Sequence, residues 1–300
     1  MNVTAVVVTY NRLILLQECI AAIRAQTFIP TNILIVNNSS TDGTGEWLKL
    51  QQDVISFQQP NKGGAWGFYT GIKEAYKMNA DWVWIMDDDT IPEPAALQNL
   101  VDALQYEKAD DEFGFLSSKV IWTDGNLHLM NVPALKKDFK EASLSYYSQN
   151  GIQPVNYNSF VSILIKRNAI QQAGLPIKEF FIWNDDIEYT QRIIHRGFIG
   201  AMVETSIVVH KTPVNYTSDI FADSKKNLWK YRYGLRNDLY IRRHYKGYGS
   251  FLRNIFKRMF VLPFKILSGR NTDRWAFVKM TWLSTWEALS FNPSKEYIKD

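Results

Sequence analysis

The sequence predicts an α/β fold with a mostly parallel central sheet flanked by helices and followed by a helical extension. Apolar runs at 3–8, 33–36 and 82–86 have the length and the β-branched or aromatic character of buried strands. Helical apolar spacing separates these runs, as in the βαβ units of a parallel sheet. The extension is basic and aromatic, since residues 225–300 hold 17 Lys and Arg against 5 Asp and Glu.

The bulk composition is that of an ordinary globular chain, with 300 residues, 46% of them apolar and 21% charged. A single cysteine, Cys19, excludes an internal disulfide and favours the reducing cytoplasm. The chain starts directly with a strand-like run and holds no apolar stretch near 18 residues, so we expect no signal peptide and no transmembrane helix. We therefore predict a cytoplasmic protein, with peripheral attachment to the inner face of the plasma membrane as an alternative.

The first three strands are each followed by a polar turn and a helix. Apolar residues recur at helical spacing after the first strand, and turn residues 37–43 precede a helix after the second. The third strand, 54–57, leads through the glycine-rich segment 60–68 into another helix. Right-handed crossovers bring the carboxyl ends of such strands to one edge of the sheet, so we expect the polar segments 9–12, 37–42 and 87–89 to converge there.

The fourth strand, 82–86, runs directly into Asp87, Asp88 and Asp89. Three adjacent carboxylates repel one another and cannot all be buried unless a cation compensates them. Because side chains alternate along a strand, Asp87 and Asp89 share one side and Asp88 points away. We interpret the cluster as a site for a divalent metal and a phosphate-bearing substrate. The alternative is an acidic loop that caps the next helix, which requires one carboxylate rather than three.

The later elements are less regular. We predict an irregular excursion with a short hairpin over residues 123–157, where the pattern is hard to assign. The remaining predictions are a helix at 95–106, strands at 115–122 and 160–165, and a helix at 167–173 that Gly174 ends.

Two further groups of polar residues are candidates for the chemistry. Asp185, Asp186 and Glu188 open a helix, where either simple capping or a general base accounts for a carboxylate. His210 ends a short apolar strand, and it is either a structural residue or a third metal ligand beside two aspartates. The glycine-rich segment lacks the Gly-x-Gly-x-x-Gly spacing of redox dinucleotide folds.

Five motifs together resemble the inverting glycosyltransferases of family 2, which have the GT-A fold, a fold of nucleotide-diphospho-sugar transferases. The resemblance covers residues 1–212 and is greatest to bacterial galactofuranosyltransferases and their rhamnosyltransferase relatives. Tyr231, Tyr233, Arg236 and Asn237 also resemble a Tyr-rich Arg-Asn segment of that subgroup. The five motifs occupy residues 6–12, 37–44, 61–64, 87–89 and 183–186.

The resemblance implies a role for each matching residue. Asp87, Asp89 and His210 match the metal-binding positions, where Mn²⁺ or Mg²⁺ is the expected cofactor, and Asp186 matches the residue that takes the proton of the acceptor hydroxyl. Asp88 is expected to have a supporting role in donor binding. The positions expected to contact the nucleotide sugar are Thr9, Tyr10, Arg12, Asn37, Asn38, Lys62, Gly63, Gly64, Trp66, Asp87, Asp88, Trp183 and Asp185.

The expected activity is transfer of a sugar to a glycan or lipid-linked acceptor in bacterial surface polysaccharide synthesis. From the resemblance, the first donor candidate is UDP-galactofuranose and the second is dTDP-rhamnose. Asn37 stands where many relatives carry an aspartate that contacts the base or ribose, so both uridine and deoxythymidine stay open as the nucleoside. Two other classes stay open at this point. A nucleotidyltransferase also places carboxylates and a metal at a sheet edge, and a non-catalytic sugar-binding protein does not require the metal.

We predict a catalytic domain over residues 1–215 and a mainly helical extension over 216–300. Residues 251–262 combine helical apolar spacing with a cationic opposite face. Such a helix fits an anionic membrane surface, and it equally fits docking on the catalytic domain, with acceptor or subunit contact as further roles. Nucleic acid is a poorer partner, because residues 1–224 are acidic and hold no recognised nucleic-acid motif.

Overall fold

The computed structural model describes residues 1–136 and 141–298, which form ten β-strands and eleven α-helices. The strands are β1 (Val3–Thr9), β2 (Asn32–Asn37), β3 (Val54–Gln58), β4 (Trp82–Asp87), β5 (Thr90–Pro92), β6 (Phe113–Ile121), β7 (Ala134–Leu135), β8 (Ile152–Tyr157), β9 (Ile163–Lys166) and β10 (Ile199–His210). The helices are α1 (Leu13–Arg24), α2 (Thr44–Lys49), α3 (Gly64–Lys77), α4 (Ala96–Ala103), α5 (Glu141–Gln149), α6 (Arg167–Ala173), α7 (Asp185–His195), α8 (Leu228–Tyr245), α9 (Tyr248–Phe256), α10 (Leu262–Gly269) and α11 (Arg274–Ser290).

The chain divides into two compact units. The first contains all the described strands and comprises residues 1–178, 186–216 and 295–300. The second comprises residues 179–185 and 217–294, and it contains α8 to α11. The functional division at 215/216 stays a prediction.

The sheet of the first unit has the strand order β3-β2-β1-β4-β9-β6-β10-β8-β7, with β5 paired to β10. Strands β1 to β4 are parallel, and Val6 lies opposite both Leu34 of β2 and Ile85 of β4. β9 runs antiparallel between β4 and β6, which makes the sheet mixed. The predicted α/β fold with a mostly parallel sheet flanked by helices is confirmed.

Both faces of the sheet are buried, because successive residues of its strands serve opposite cores. Val6 and Val8 belong to the core that includes α3, whereas Val7 belongs to the core that includes α1. Gly67 and Gly71 let α3 lie directly on β1, since a Cβ at either position would overlap Val8 or Val6. Burying a Val or Ile side chain stabilises the fold by about 1.5–3 kcal/mol, so the apolar runs account for the sheet.

The prediction of an irregular excursion over residues 123–157 is wrong in part. α5 and β8 lie within it, and β8 pairs antiparallel with β7 and with β10. A helix therefore separates the two strands that were expected to form a short hairpin. Pro154 interrupts the strand signal of β8, and the polar composition of α5 weakens its helical pattern. Residues 137–140 lie outside the described part of the chain.

The second unit contains a strained segment, residues 179–185. Phe181, Trp183 and Asn184 have φ values of 68°, 64° and 67°, in the left-handed region that non-glycine residues rarely adopt. Such strain persists only where the surroundings over-determine the conformation.

Helix α8 supplies that restraint through Asn237. Its buried Nδ2 donates toward the carbonyl oxygens of Phe180, Ile182 and Trp183, at 3.0, 3.2 and 2.8 Å. Asn184 Nδ2 in turn donates to Gly234 O at 2.8 Å. A Cβ at Gly234 would lie 2.6 Å from the Trp183 ring, so glycine is required for this close approach.

We expect Asn237→Ala to destabilise the second unit by about 1–3 kcal/mol, because it leaves buried carbonyl groups without their donor. The matched control is Asn254→Ala, which removes one half-buried bond from Nδ2 to Ser250 O. Thermal and urea denaturation of the two variants measure the difference. Equal losses of stability in the two variants would contradict the special role of Asn237.

Candidate active site

The acidic cluster lies where β4 ends at the carboxyl edge of the sheet. Asp87 is the last residue of β4, and Asp88 and Asp89 form a turn into β5. β5 pairs antiparallel with β10, with Thr90 opposite His210, and Lys211 N donates to Asp89 O at 2.8 Å. This pairing brings the end of β10 to the cluster, although the two segments are 120 residues apart in sequence.

Asp87, Asp89 and His210 form a group with potential metal ligands. One ligand atom from each residue lies within 4.8 Å of the other two. Asp89 Oδ1 is buried 3.2 Å from His210 Nε2 and, within the described chain, has no hydrogen bond of satisfactory geometry. Asp89 Oδ1 and His210 Nε2 can each donate a lone pair of electrons. At this distance the two atoms require a cation or a proton between them.

The Nδ1 contact of His210 suits a metal ligand. His210 Nδ1 lies 2.8 Å from Asn131 Oδ1, an acceptor, so Nδ1 carries a proton and Nε2 is the ring nitrogen that can present a lone pair to a metal ion. His128 packs against the His210 ring with centroids 4.5 Å apart, and burial together with the charge of His210 lowers the pKa of His128 to about 4. A neutral stacked ring leaves His210 free to act as a ligand.

Arg12 neutralises part of the negative charge. Its guanidinium pairs with Asp89 and lies 3.3 Å from Asp88 Oδ1. Asp88 is buried, and its Oδ2 accepts hydrogen bonds from the Thr9 hydroxyl at 2.7 Å and from the backbone N–H of Tyr10 at 3.4 Å. Asp88 thus holds the loop after β1 in place.

The pKa values of these groups reflect burial and close charge. Burial raises the pKa of Asp88 to about 6, against the effect of Arg12. Burial also opposes the ionisation of Asp89, but His210 and Arg12 outweigh it and lower the pKa to about 2. Burial opposes the charge on Arg12 as well, but Asp89 and Asp88 raise its pKa.

The donor set fits a hard divalent cation. The two carboxylates are ligands that both Mn²⁺ and Mg²⁺ prefer, and the imidazole nitrogen, a softer ligand, favours Mn²⁺ of the two. Neighbouring ligand atoms of an octahedral Mg²⁺ lie about 3 Å apart, close to the 3.2 Å between Asp89 Oδ1 and His210 Nε2. Asp87, Asp89 and His210 are therefore the residues that would hold the ion.

Asp186, in the first turn of α7, is the candidate base. Its carboxylate accepts the backbone N–H of Ile187 at 2.7 Å and that of Phe160. Phe160 lies three residues before Ile163, which is opposite Ile85 of β4, so this contact places Asp186 at the edge where β4 ends. Burial raises the pKa of Asp186 to about 6. A carboxylate of this kind is ionised at neutral pH and is more basic than usual.

The structure assigns Glu188 to packing. It is fully buried and pairs with Arg192 at 2.8 Å, and Arg192 also donates to the carbonyls of Ala173 and Leu175. Trp183 and Asp185 fall in the second unit, and their part in donor binding stays a prediction.

The other predicted donor contacts lie in loops of the first unit, and their roles also stay predictions. Asn37 and Asn38 are buried and brace the turn after β2, since Asn37 Oδ1 accepts the Ser40 N–H at 2.9 Å. Lys62 lies over the Trp66 ring, with Nζ 4.3 Å from the centroid. Tyr10 is exposed, and Gly63 and Gly64 begin α3, where a Cβ at Gly64 would meet open space.

Asn131 and His128 were missed by the sequence analysis. Both lie in the segment that showed no clear pattern, and nothing in their spacing distinguishes them from ordinary loop residues. His128 is fixed by Thr212, whose hydroxyl lies 2.7 Å from Nε2, and by the N–H of Met130, which Nδ1 accepts at 3.3 Å. Only the fold shows that they support His210.

Comparisons with known proteins agree with this geometry. Residues 4–151 match the family described as Glycosyl transferase family 2. The chain is 24% identical over 217 residues to "Galactofuranosyltransferase GlfT1" of Mycolicibacterium smegmatis, covering 69% of this chain and 70% of the relative. It is 22% identical over 311 residues to "N-acetylglucosaminyl-diphospho-decaprenol L-rhamnosyltransferase" of Mycobacterium tuberculosis, covering 89% and 98%.

A third relative matches a shorter part of the chain at a higher identity. "Glycosyltransferase GlyG" of Streptococcus pneumoniae is 31% identical over 117 residues, covering 37% of this chain and 38% of the relative. The matches set aside the nucleotidyltransferase and the non-catalytic sugar-binding protein. The chain is a glycosyltransferase, and its residues 4–151 form a glycosyl transferase family 2 domain.

Proposed function

We propose that the chain is a metal-dependent inverting glycosyltransferase that transfers a sugar from a nucleotide sugar to a glycan or lipid-linked acceptor. The observation that carries the proposal is that a group of potential metal ligands and a candidate general base lie at the same edge of the sheet. Asp87, Asp89 and His210 form a group there that could hold a cation, and the ionisable carboxylate of Asp186 lies at the same edge. The single buried cysteine, Cys19, is consistent with the cytoplasm as the compartment.

In the proposed reaction, Asp186 accepts the proton of the acceptor hydroxyl as the oxygen attacks the anomeric carbon. One displacement breaks the bond to the nucleoside diphosphate and inverts the anomeric configuration. A bound Mn²⁺ or Mg²⁺ would stabilise the negative charge of the departing diphosphate. Arg12, which already faces Asp88 and Asp89, orients these carboxylates and adds positive charge to the site.

We propose UDP-galactofuranose as the first donor to test and dTDP-rhamnose as the second. The support is the activity named for the two relatives at 22–24% identity. The acceptor of the rhamnosyltransferase is named as a decaprenol-linked sugar, which supports a lipid-linked acceptor in bacterial surface polysaccharide synthesis.

The donor is tested by incubating the full chain with single nucleotide sugars, Mn²⁺ or Mg²⁺ and a prenyl-diphosphate-linked acceptor. We expect release of UDP from UDP-galactofuranose, and none after chelation of the metal. Release of dTDP from dTDP-rhamnose would support the second donor instead. Turnover that is unchanged by chelation would overturn metal dependence.

Asn131→Ala is expected to weaken Mn²⁺ binding roughly 10- to 100-fold, because the groups that orient a metal ligand contribute this much. Electron paramagnetic resonance of free Mn²⁺ measures the affinity without any turnover. Asn126→Ala is the matched control, since Asn126 is exposed and its side chain contacts only Asp124 among the hydrogen bonds of the described chain. Unchanged Mn²⁺ affinity in Asn131→Ala would contradict the proposed role of Asn131 in orienting His210 as a metal ligand.

Asp186→Asn is expected to lower kcat by about 10²–10⁴, the contribution of a general base, while the Kd for the donor stays unchanged. In the wild type, kcat/KM should fall about tenfold per pH unit below pH 6, because the base must be deprotonated and its pKa is raised to about 6. Above this pH the profile should be level.

Stopped-flow donor binding and steady-state kinetics over a pH series separate these effects. Asp124→Asn is the control, because Asp124 is exposed and bonds only locally to Asn126. Retained turnover in Asp186→Asn would rule out the assigned base, whatever the donor proves to be.

A further inference from the structure

The second unit carries an exposed apolar stripe along α9, the π-helical turn Lys257–Val261 and α10. Its members recur at every fourth residue and each is between 49% and 74% exposed. Aromatic side chains rarely remain in water in such a row unless something covers them. The stripe consists of Tyr248, Leu252, Phe256, Phe260 and Phe264.

A cationic row runs directly beside the stripe. Arg253, Lys257 and Lys265 each follow a stripe residue by one position, and all three are exposed. The surrounding segment, residues 239–272, holds eight Lys and Arg and no Asp or Glu. The partner of this surface must therefore offer both an apolar phase and negative charge.

Helix α11 widens the surface with tryptophans. Trp282 Nε1 donates to Met259 O at 3.0 Å, so its ring lies next to the stripe near Phe260. Trp282 and Trp286 are both exposed. An indole ring with a polar edge favours the boundary between lipid headgroups and acyl chains.

We propose that this surface of α9 to α11 binds the face of a membrane that contains anionic lipids. The stripe would enter the boundary of the acyl chains, and the cationic row would contact lipid phosphates. In the proposed arrangement the helices lie along the membrane surface. None of the helices in the described ranges is both long and apolar enough to span a membrane. The inference goes beyond the proposed function and does not rest on it.

Two other occupants fit the charges less well. A second copy would bring this acid-free cationic segment against itself, and like charges across an interface cost several kcal/mol. An acidic protein groove would satisfy the cations, but it would have to enclose a stripe of four aromatic side chains and one leucine. A bilayer with anionic lipids offers an apolar phase and negative charge along the whole stripe.

Flotation of the full chain with vesicles tests the proposal. We expect binding to phosphatidylcholine vesicles that contain phosphatidylglycerol, weak binding to phosphatidylcholine alone, and release by high salt. Replacing the cations in one variant (Arg253→Gln, Lys257→Gln and Lys265→Gln) should weaken binding roughly a hundredfold, since each basic residue contributes about a fivefold factor.

A second variant tests the apolar component with Phe256→Glu, Phe260→Glu and Phe264→Glu. It should no longer float. The matched control places the same three charges on exposed apolar residues of the first unit, with Ile14→Glu, Ile29→Glu and Leu50→Glu, each 71–76% exposed in the wild type. The control should float like the wild type, and circular dichroism checks that every variant is folded.

Three results would overturn the proposal. The wild type could fail to bind either kind of vesicle, or both second-unit variants could bind as tightly as the control. Light scattering could instead show a wild-type dimer that the phenylalanine variant converts to a monomer, without vesicle binding. That result would assign the surface to self-association.

Discussion

Three adjacent carboxylates at the end of a buried strand are the constraint on which the active site depends. Burial removes Asp88 and Asp89 from water, and the charge they would carry must then be balanced locally. Arg12 supplies one positive charge against the three carboxylates. The Thr9 hydroxyl stabilises Asp88, and the short strand β5 holds Asp89 beside His210. The remaining imbalance is what makes a divalent cation the natural occupant.

The proposed metal ligand His210 and the proposed base Asp186 belong to one hydrogen-bonded framework. Each link is a hydrogen bond that includes at least one side-chain atom, and every bonded pair is at least partly buried. Movement at one end would therefore disturb the other, which explains how residues far apart in sequence can keep a fixed relation. The path runs from His210 through Asn131, Ser159, Asn158 and Thr190 to the backbone carbonyl of Asp186.

The sequence was sufficient for the parts of the site that follow from strand periodicity. Alternation after Met86 separated Asp88 from Asp87 and Asp89, and parallel strands brought the loop after β1 to the same edge. The support of His210 was not predictable, because Asn131 follows β6 and reaches His210 through the pairing between β6 and β10 rather than through a local pattern. Glu188 shows the opposite case, since its spacing suits a base but its burial with Arg192 assigns it to the core.

The orientation of the basic helix also needed the structure. Its sequence suggested a cationic face that included Arg258, but Arg258 is buried and donates to Leu235 O and Asp238. In a regular α-helix, a step of four residues overshoots a full turn by about 40°, so the exposed stripe would wind gradually toward the core. The π-helical turn Lys257–Val261 is wider and takes up an extra residue, which corrects this drift. Phe264 therefore stays exposed, as Tyr248 is. The local cause of the π turn is Pro263, which has no N–H for Met259 O, so this carbonyl accepts from Trp282 Nε1 instead. The consequence is one continuous apolar surface.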